Sequence, residues 1–298
     1  MTDTHPCPQC GAATNPAFKA RDFNRRIGVA RFAYLRCTRC GVIFLRDVPA
    51  DLARYYANDY YVIPHSVAQL AAWSVSERYK IELVRRFRGA GRLIEIGPAS
   101  GGFCYLAKAA GFEVQAIEMD HRCCAFLSSK LGIVVVESAD EATALEEMRP
   151  ADVIVMWHVI EHLVSPWSML EVAARKLLPG GVLVVAAPNP HAFQFGVLGE
   201  RWAHVDAPRH LWLIPPGVIA ERGARSGLEL RMITTRDRGS LAWNRFGWEY
   251  TLMNRFSNGA VRRVGKTLGR AIAAAAYPLE SQEGRGAAYT VVLQRNGP

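Results

Sequence analysis

The sequence predicts an α/β protein: a seven-stranded, mostly parallel sheet with one antiparallel edge strand, helices on both faces, and a small cysteine-rich module ahead of it. Three observations carry that expectation. From Arg92 onward, short apolar runs alternate with helical patterns, the rhythm of a parallel sheet covered on both faces. Leu93 to Asp120 reads as strand, glycine turn, helix, second strand, then an acidic residue at the strand's carboxyl end. Two CxxC pairs, Cys7-Pro8-Gln9-Cys10 and Cys37-Thr38-Arg39-Cys40, stand near the N-terminus.

With 298 residues, half of them apolar, the chain holds enough hydrophobic material for one full α/β domain and an appendage. No apolar run reaches the roughly 18 residues needed to cross a bilayer. The opening MTDTHPCPQC lacks a basic-then-apolar signal pattern, so the expected location is cytoplasmic. A net charge of +9 is compatible with nucleic acid, anionic lipid or an acidic substrate and selects none of them.

The CxxC pairs are each followed by glycine, at Gly11 and Gly41, and 26 residues separate Cys10 from Cys37. Paired knuckles of this form point four thiolates at one tetrahedral zinc, so residues 1–48 read as a zinc ribbon with Cys7, Cys10, Cys37 and Cys40 as ligands of a structural zinc. Cys104, Cys123 and Cys124 fall on predicted helices, where buried, inert thiols are the default.

Residues 49–90 read as a helical linker, with helices over 51–58 and 67–88. Between them Tyr55, Tyr56, Tyr60 and Tyr61 either cap a pocket or pack the linker onto the main domain, and packing is the simpler reading. The nucleotide-binding core spans 91–238. Strands are expected at 92–96, 113–118, 133–136, 152–157, 182–187 and 229–235, with helices near 101–110, 121–131, 140–147, 166–177 and 215–226. A final strand at 288–294, within the tail segment 287–298, follows a long excursion and should join antiparallel at the sheet's edge. The excursion, 239–286, carries Trp243, Phe246, Trp248 and Phe256, then a stripe of Val261, Val264, Leu268 and Ile272 among Arg262, Arg263, Lys266 and Arg270. Such a basic amphipathic helix suits a lid, a homodimer element, or peripheral contact through 239–276 with the inner membrane surface.

The glycine turn admits two nucleotides. Gly97, Ala99 and Gly102 form a degenerate dinucleotide fingerprint, but Glu95 lies two residues ahead of the first glycine. A carboxylate there opposes phosphates and complements the ammonium and sulfonium of S-adenosylmethionine, which favours the methyl donor. Glu118 lies where a ribose diol could be clamped.

The strand at 152–157 ends in Trp157-His158-Val159-Ile160-Glu161-His162-Leu163. Its HxxEH order matches an inverted zinc-peptidase motif, yet it sits at a strand tip and not inside a long helix, which argues against protease chemistry. Glu95-Ile96-Gly97-Pro98-Ala99-Ser100-Gly101-Gly102, Glu118, the His158–Leu163 block and Leu178-Pro179-Gly180-Gly181 together resemble a class I S-adenosylmethionine-dependent methyltransferase. Within that class the chain is similar to the bacterial small-molecule group that includes the ubiquinone-biosynthesis O-methyltransferases. The likeness runs from Arg92 to Thr235 and returns in the last strand, and Ala99 departs from the family's usual middle glycine. The resemblance implies a Rossmann-like fold and a donor site in which Glu95 and the backbone of Gly97, Ala99 and Gly101 hold the methionine part. It further implies that Glu118 accepts from the ribose, Met119 packs on adenine, Asp140 accepts from the adenine amino group, and Trp157 and His158 border the donor. In the quinone-type relatives the HVIEHL region is linked with a divalent metal, a pattern that Glu161 and His162 match in part.

Methyl transfer to a hydroxyl or carbon acid needs in-line placement and a base. The candidates are His158, His162, His204 and His210, where a histidine titrating near neutrality could take the proton and Arg209 could pair with an acidic substrate. The alternative for the 204–210 segment is that Asp206 and His210 only fix the loop.

The leading expectation is O- or C-methylation of a small-molecule, sugar or lipid-linked acceptor. The second is an RNA methyltransferase whose basic ribbon spacer (Lys19, Arg21, Arg25, Arg26, Arg31, Arg36, Arg39) tracks phosphates, although no Asn-Pro-Pro-aromatic end closes the fourth strand. The third is a non-catalytic zinc-ribbon scaffold.

Overall fold

The computed structural model describes residues 5–56 and 60–297. The part of the expected 51–58 helix beyond Tyr56 lies outside them; a 3-10 turn covers Leu52–Tyr56.

The N-terminal module is an antiparallel meander of β1 (Thr14–Arg21), β2 (Arg31–Cys37) and β3 (Ile43–Leu45). Both knuckle glycines have left-handed backbone, Gly11 at φ +70° and Gly41 at φ +73°, which lets the chain turn back under each cysteine pair. The outer edge of β3 is completed by Trp212 and Leu213 from the main body. Tyr34, Ile43 and Phe44 join the main hydrophobic core, so the module is packed into the domain it precedes.

α1 (Val67–Ser74) and α2 (Arg78–Arg85) replace the single expected helix. The Ser74 hydroxyl donates back to the Leu70 carbonyl at 2.7 Å, and the chain tightens into a 3-10 turn at Val75–Glu77. Then come β4 (Arg92–Ile96), α3 (Gly102–Ala109), β5 (Glu113–Glu118), α4 (His121–Phe126), β6 (Val134–Glu137) and α5 (Glu141–Glu147). β7 (Ala151–Trp157), α6 (Pro166–Lys176) and β8 (Leu177–Pro188) follow. α7 (Phe193–Leu198), β9 (Trp212–Leu213), α8 (Pro216–Arg225) and β10 (Leu228–Thr234) lead to the insertion. There α9 (Arg238–Met253) and α10 (Gly259–Glu280) precede β11 (Ala288–Arg295).

The main sheet has the order β10-β11-β8-β7-β4-β5-β6. β11 is the reversed strand, antiparallel to β8 on one side and to the outermost strand β10 on the other. Along the strands, side chains alternate between two cores: Ile94, Ile154 and Leu183 face one, Leu93, Val153 and Val182 the other. Full burial of each such side chain contributes about 1.5–3 kcal/mol. The chain runs outward from β4 through β5 to β6, then returns to place β7 beside β4. That reversal opens a crevice at the strands' carboxyl ends.

The insertion is a helical hairpin. α10 packs on α9 through Gly265 and Gly269, while Val261, Val264 and Leu268 of the apolar stripe are exposed. A Cβ on Gly269 would lie 2.6 Å from the Glu249 Cα, so the backbones approach too closely for any side chain there. Among the described residues, no helix is long and apolar enough to cross a membrane.

Candidate active site

The end of β4 turns sharply through Gly97 (φ +63°), Ala99 (φ +51°) and Gly101 (φ +84°). Glu118, the last residue of β5, pins this turn. Its carboxylate accepts from the Ala99 amide at 2.8 Å and from the amides of Met119 (2.8 Å) and Asp120 (2.9 Å). The amide bond offsets part of the strain of an alanine in left-handed backbone. Burial pushes the Glu118 carboxyl up, and these amide donors work against it.

Beside the turn lies a pocket of about 270 Å³. Gly97, Ala99, Glu118 and Met119 line one side, and Trp157, His158 and His162 line the other with Tyr56, Tyr60 and Tyr61. The tyrosine link therefore forms pocket wall, where packing alone had been the simpler expectation. Asp140 departs from its expected role. Both its oxygens are taken by Thr143, through the amide at 3.1 Å and the hydroxyl at 2.8 Å, so it caps α5 while Ala139 and Glu141 face the pocket. Glu95 is buried under the turn, where its carboxylate accepts from the Cys104 thiol at 2.9 Å. Burial lifts it to about 7, with the thiol contact pulling the other way.

The four candidate histidines divide into two pairs. His158 and His162 line the pocket, whereas His204 and His210 do not. His204 is enclosed by Trp202, Trp243 and Phe246, with ring centroids 4.8–5.7 Å away. His210 packs edge-on against His162 at 4.6 Å. The His162 Nδ1 lies 3.1 Å from the Arg209 carbonyl and 2.9 Å from the Tyr56 hydroxyl, and the His210 Nδ1 lies 2.8 Å from the His204 carbonyl. A carbonyl only accepts, so the His210 Nδ1 carries the proton and its Nε2 keeps the lone pair; the His162 Nδ1 faces both a carbonyl and a hydroxyl, a setting that suits either tautomer.

Burial lowers all four imidazoles, against the sequence expectation of one that titrates near neutrality. Burial pushes His158 down to about 3, with Lys80 adding to the effect, and pushes His162 and His204 down to about 4. All are neutral at physiological pH. Glu161 lies behind them, 1% exposed, and neither carboxylate oxygen accepts a hydrogen bond among the described residues. Its carboxylate, His162 and His210 bring ligand-capable atoms within 4.8 Å of one another.

Arg209 is not available to an acidic substrate. It is fully buried, bound to Asp22 at 2.7 Å and Asp206 at 2.6 Å. Against the effect of its own burial, Asp206 is held down to about 2 by that guanidinium. Asp206, in left-handed backbone, also accepts from Asn24. The 204–210 segment is thus a clamped loop, and Asp22 and Asn24 of the N-terminal hairpin are its clamps. Sequence reasoning missed both, since a lone Asp and Asn after a strand read as ordinary turn residues.

At the other end of the ribbon, Cys7 and Cys40 sulfurs are 3.6 Å apart and Cys10 and Cys37 sulfurs 3.5 Å apart, with all four within 4.8 Å. A tetrahedron of ~2.3 Å zinc–sulfur bonds has edges of about 3.8 Å, so the donor set fits zinc.

Residues 61–232 match the methyltransferase domain family, and the chain belongs to it. Together with the crevice geometry this defines a class I S-adenosylmethionine-dependent methyltransferase. Among curated relatives, a ubiquinone biosynthesis O-methyltransferase of Maricaulis maris is 26% identical over 169 residues, covering 53% of this chain and 66% of the relative. A second of the same name, from Marinobacter nauticus, is 30% identical over 28% of this chain and 37% of its own length. Each match thus spans less than two thirds of the relative. A cyclopropane synthase structure from Mycobacterium tuberculosis superposes with a TM-score of 0.51 at 15% identity, covering 72% of this chain and 83% of that one, which shows a shared fold.

Proposed function

We propose that the protein moves the methyl group of S-adenosylmethionine onto a hydroxyl of a small organic acceptor, with His162 taking the hydroxyl proton. The observation that carries this is the place of His162, which lines the pocket with its Nδ1 held between the Arg209 carbonyl and the Tyr56 hydroxyl. With Nδ1 donating to that carbonyl, the neutral imidazole would take the proton on Nε2, and the Glu161 carboxylate nearby would stabilise the imidazolium that results. S-adenosylmethionine supplies an electrophilic methyl on a sulfonium. Glu118 would orient the donor through the acceptor site that its three amide bonds leave on Oε2, and the tyrosine wall would exclude water from the reacting centre. O-methylation is further supported by the names of the curated relatives.

The four ribbon thiolates would hold one structural zinc, remote from the chemistry. The orphaned Glu161 carboxylate favours one second reading for its own cluster: with His162 and His210 it would hold a divalent cation. Metal retained beyond one zinc per chain, and lost in Glu161→Gln, would support it.

Turnover of labelled donor with a panel of hydroxylated acceptors tests the main reading. His162→Gln should keep donor affinity in calorimetry while kcat falls about 10²–10⁴-fold. Glu118→Ala should weaken donor binding by about tenfold or more. Unchanged kcat in the first variant would remove His162 as the base; unchanged affinity in the second would remove Glu118 from the donor site.

A further inference from the structure

A second cavity, of about 450 Å³, lies between the end of the β1–β2 hairpin and the turn joining α9 to α10. Arg21, Arg26, Arg201 and Arg255 line it, against the single carboxylate of Asp22. That carboxylate is already bound by Arg209 and accepts from the amides of Arg25 and Ile27. A depression of about 170 Å³ shares Arg21 and Arg201 and adds Lys19 and Arg31 against Glu200. Among the described residues, the side chains of Arg21, Arg255, Lys19 and Arg31 make no hydrogen bond, ion pair or ring contact.

The walls are held by other contacts. Arg26 reaches across to the carbonyls of Asn254 and Phe256, and the Asn254 side chain donates to the Asn24 carbonyl at 3.3 Å. The fold therefore gathers more cations than carboxylates around one concavity, with Arg201 3.9 Å from Glu200 and Asp22 already bound by Arg209, and an anion would offset the excess. Two unpartnered guanidinium groups facing a shared space suit a ligand that accepts paired N–H bonds on several oxygens. A phosphate ester does this, bringing about −2 charge and three acceptor oxygens.

We propose that this cavity is a binding site for the phosphate or diphosphate group of a phosphorylated ligand. Its shape favours such a group over a nucleic-acid strand, which is tracked by an extended groove with successive aromatic platforms. Here the cations converge on one hollow, with Phe23 as the aromatic of its lining. The proposal does not depend on which acceptor is methylated.

Calorimetry of the full chain with inorganic pyrophosphate tests it, at low and at physiological salt. Pyrophosphate should bind the native chain and bind more weakly as salt rises. The Arg21→Ala/Arg255→Ala variant, altered at two exposed positions, should lose about tenfold per guanidinium. S-adenosylmethionine affinity should be equal in both proteins, so a failed donor site and a failed phosphate site give different results. Sedimentation with phosphatidylcholine vesicles, with and without phosphatidic acid, distinguishes the sources. Retention that needs phosphatidic acid and both arginines indicates a lipid headgroup, and pyrophosphate binding without retention indicates a soluble phosphorylated compound. The proposal is overturned if neither pyrophosphate nor phosphatidic acid binds at low salt, or if the double variant binds them unchanged. It is likewise overturned if single-stranded RNA binds and pyrophosphate fails to displace it.

Discussion

Asp22 and Arg209 form a buried ion pair, 2.7 Å between oxygen and nitrogen, across 187 residues of sequence. The pair joins the end of the cysteine-bearing hairpin to the loop whose Arg209 carbonyl orients His162. The guanidinium also packs 6.0 Å from the centre of the Tyr60 ring in the pocket wall. The N-terminal module is thereby part of the active-site framework.

Asp22→Ala should be severe for a substitution outside the pocket. It leaves one side of a buried guanidinium uncompensated, a change that costs about 3–5 kcal/mol when a buried pair is broken. Asp206 still holds the other side, which places the expected loss near the lower figure. Urea denaturation measures it, and a loss below about 1 kcal/mol would show that the clamp contributes little.

Metal removal should reach the same loop by another route. Stripping the proposed zinc would free the four thiolates of the knuckles, and the strand carrying Asp22 to Arg209 follows the first of them. A strong chelator should release about one zinc per chain, lower the melting temperature and reduce methyl transfer together. Full turnover in zinc-free protein would separate the ribbon from the site.

The β4–β8 strands and the Gly97–Glu118 half-site were readable because each depends on residues close in sequence: apolar runs, glycines, and an acid at a strand end. The cysteine pairs were readable for the same reason. What escaped notice depends on partners far along the chain. Nothing near Arg209 announces Asp22, so a clamped arginine looked like a substrate ligand. In α10 the helical period identified an apolar stripe correctly as a stripe, yet the packing face is set by Gly265 and Gly269, where the backbone of α9 comes too close for side chains. Asp140 was a different kind of miss, since an Asp followed three residues later by Thr143 is a local capping pattern open to direct reading.

Glu95 sets a pH dependence that a neutral variant should abolish. Its folded-state value, about 7, lies above the ordinary carboxyl value of 4.5, because burial disfavours the charge. The folded state then binds more protons than the unfolded chain between these two values. Its contribution is full below about pH 4.5 and is lost as pH rises through about 7. Relative to Glu95→Gln, the native chain without donor should therefore lose stability over that window, by on the order of 3 kcal/mol. Parallel stability curves for the two proteins between pH 4.5 and 7.5 would mean that Glu95 stays ionised in the fold.

Gly97 offers a test that separates backbone strain from crowding. At φ +63° an alanine costs about 1–2 kcal/mol in backbone alone, a cost the chain already accepts at Ala99. Crowding adds to it, because a Cβ on Gly97 would lie 2.7 Å from the Val159 Cγ2. Val159 sits between His158 and Glu161, so displacing it should move the His158–His162 loop as well as the glycine turn. Gly97→Ala should weaken donor binding and lower kcat together. Adding Val159→Ala removes the obstructing methyl and should recover most of the kcat loss while the backbone strain persists. The two substitutions are in direct contact and should show coupling of about 1 kcal/mol or more in a double-mutant cycle. Strict additivity would mean that the turn shifts away from Val159 freely, and that the glycine turn and the His158–His162 loop are not mechanically joined.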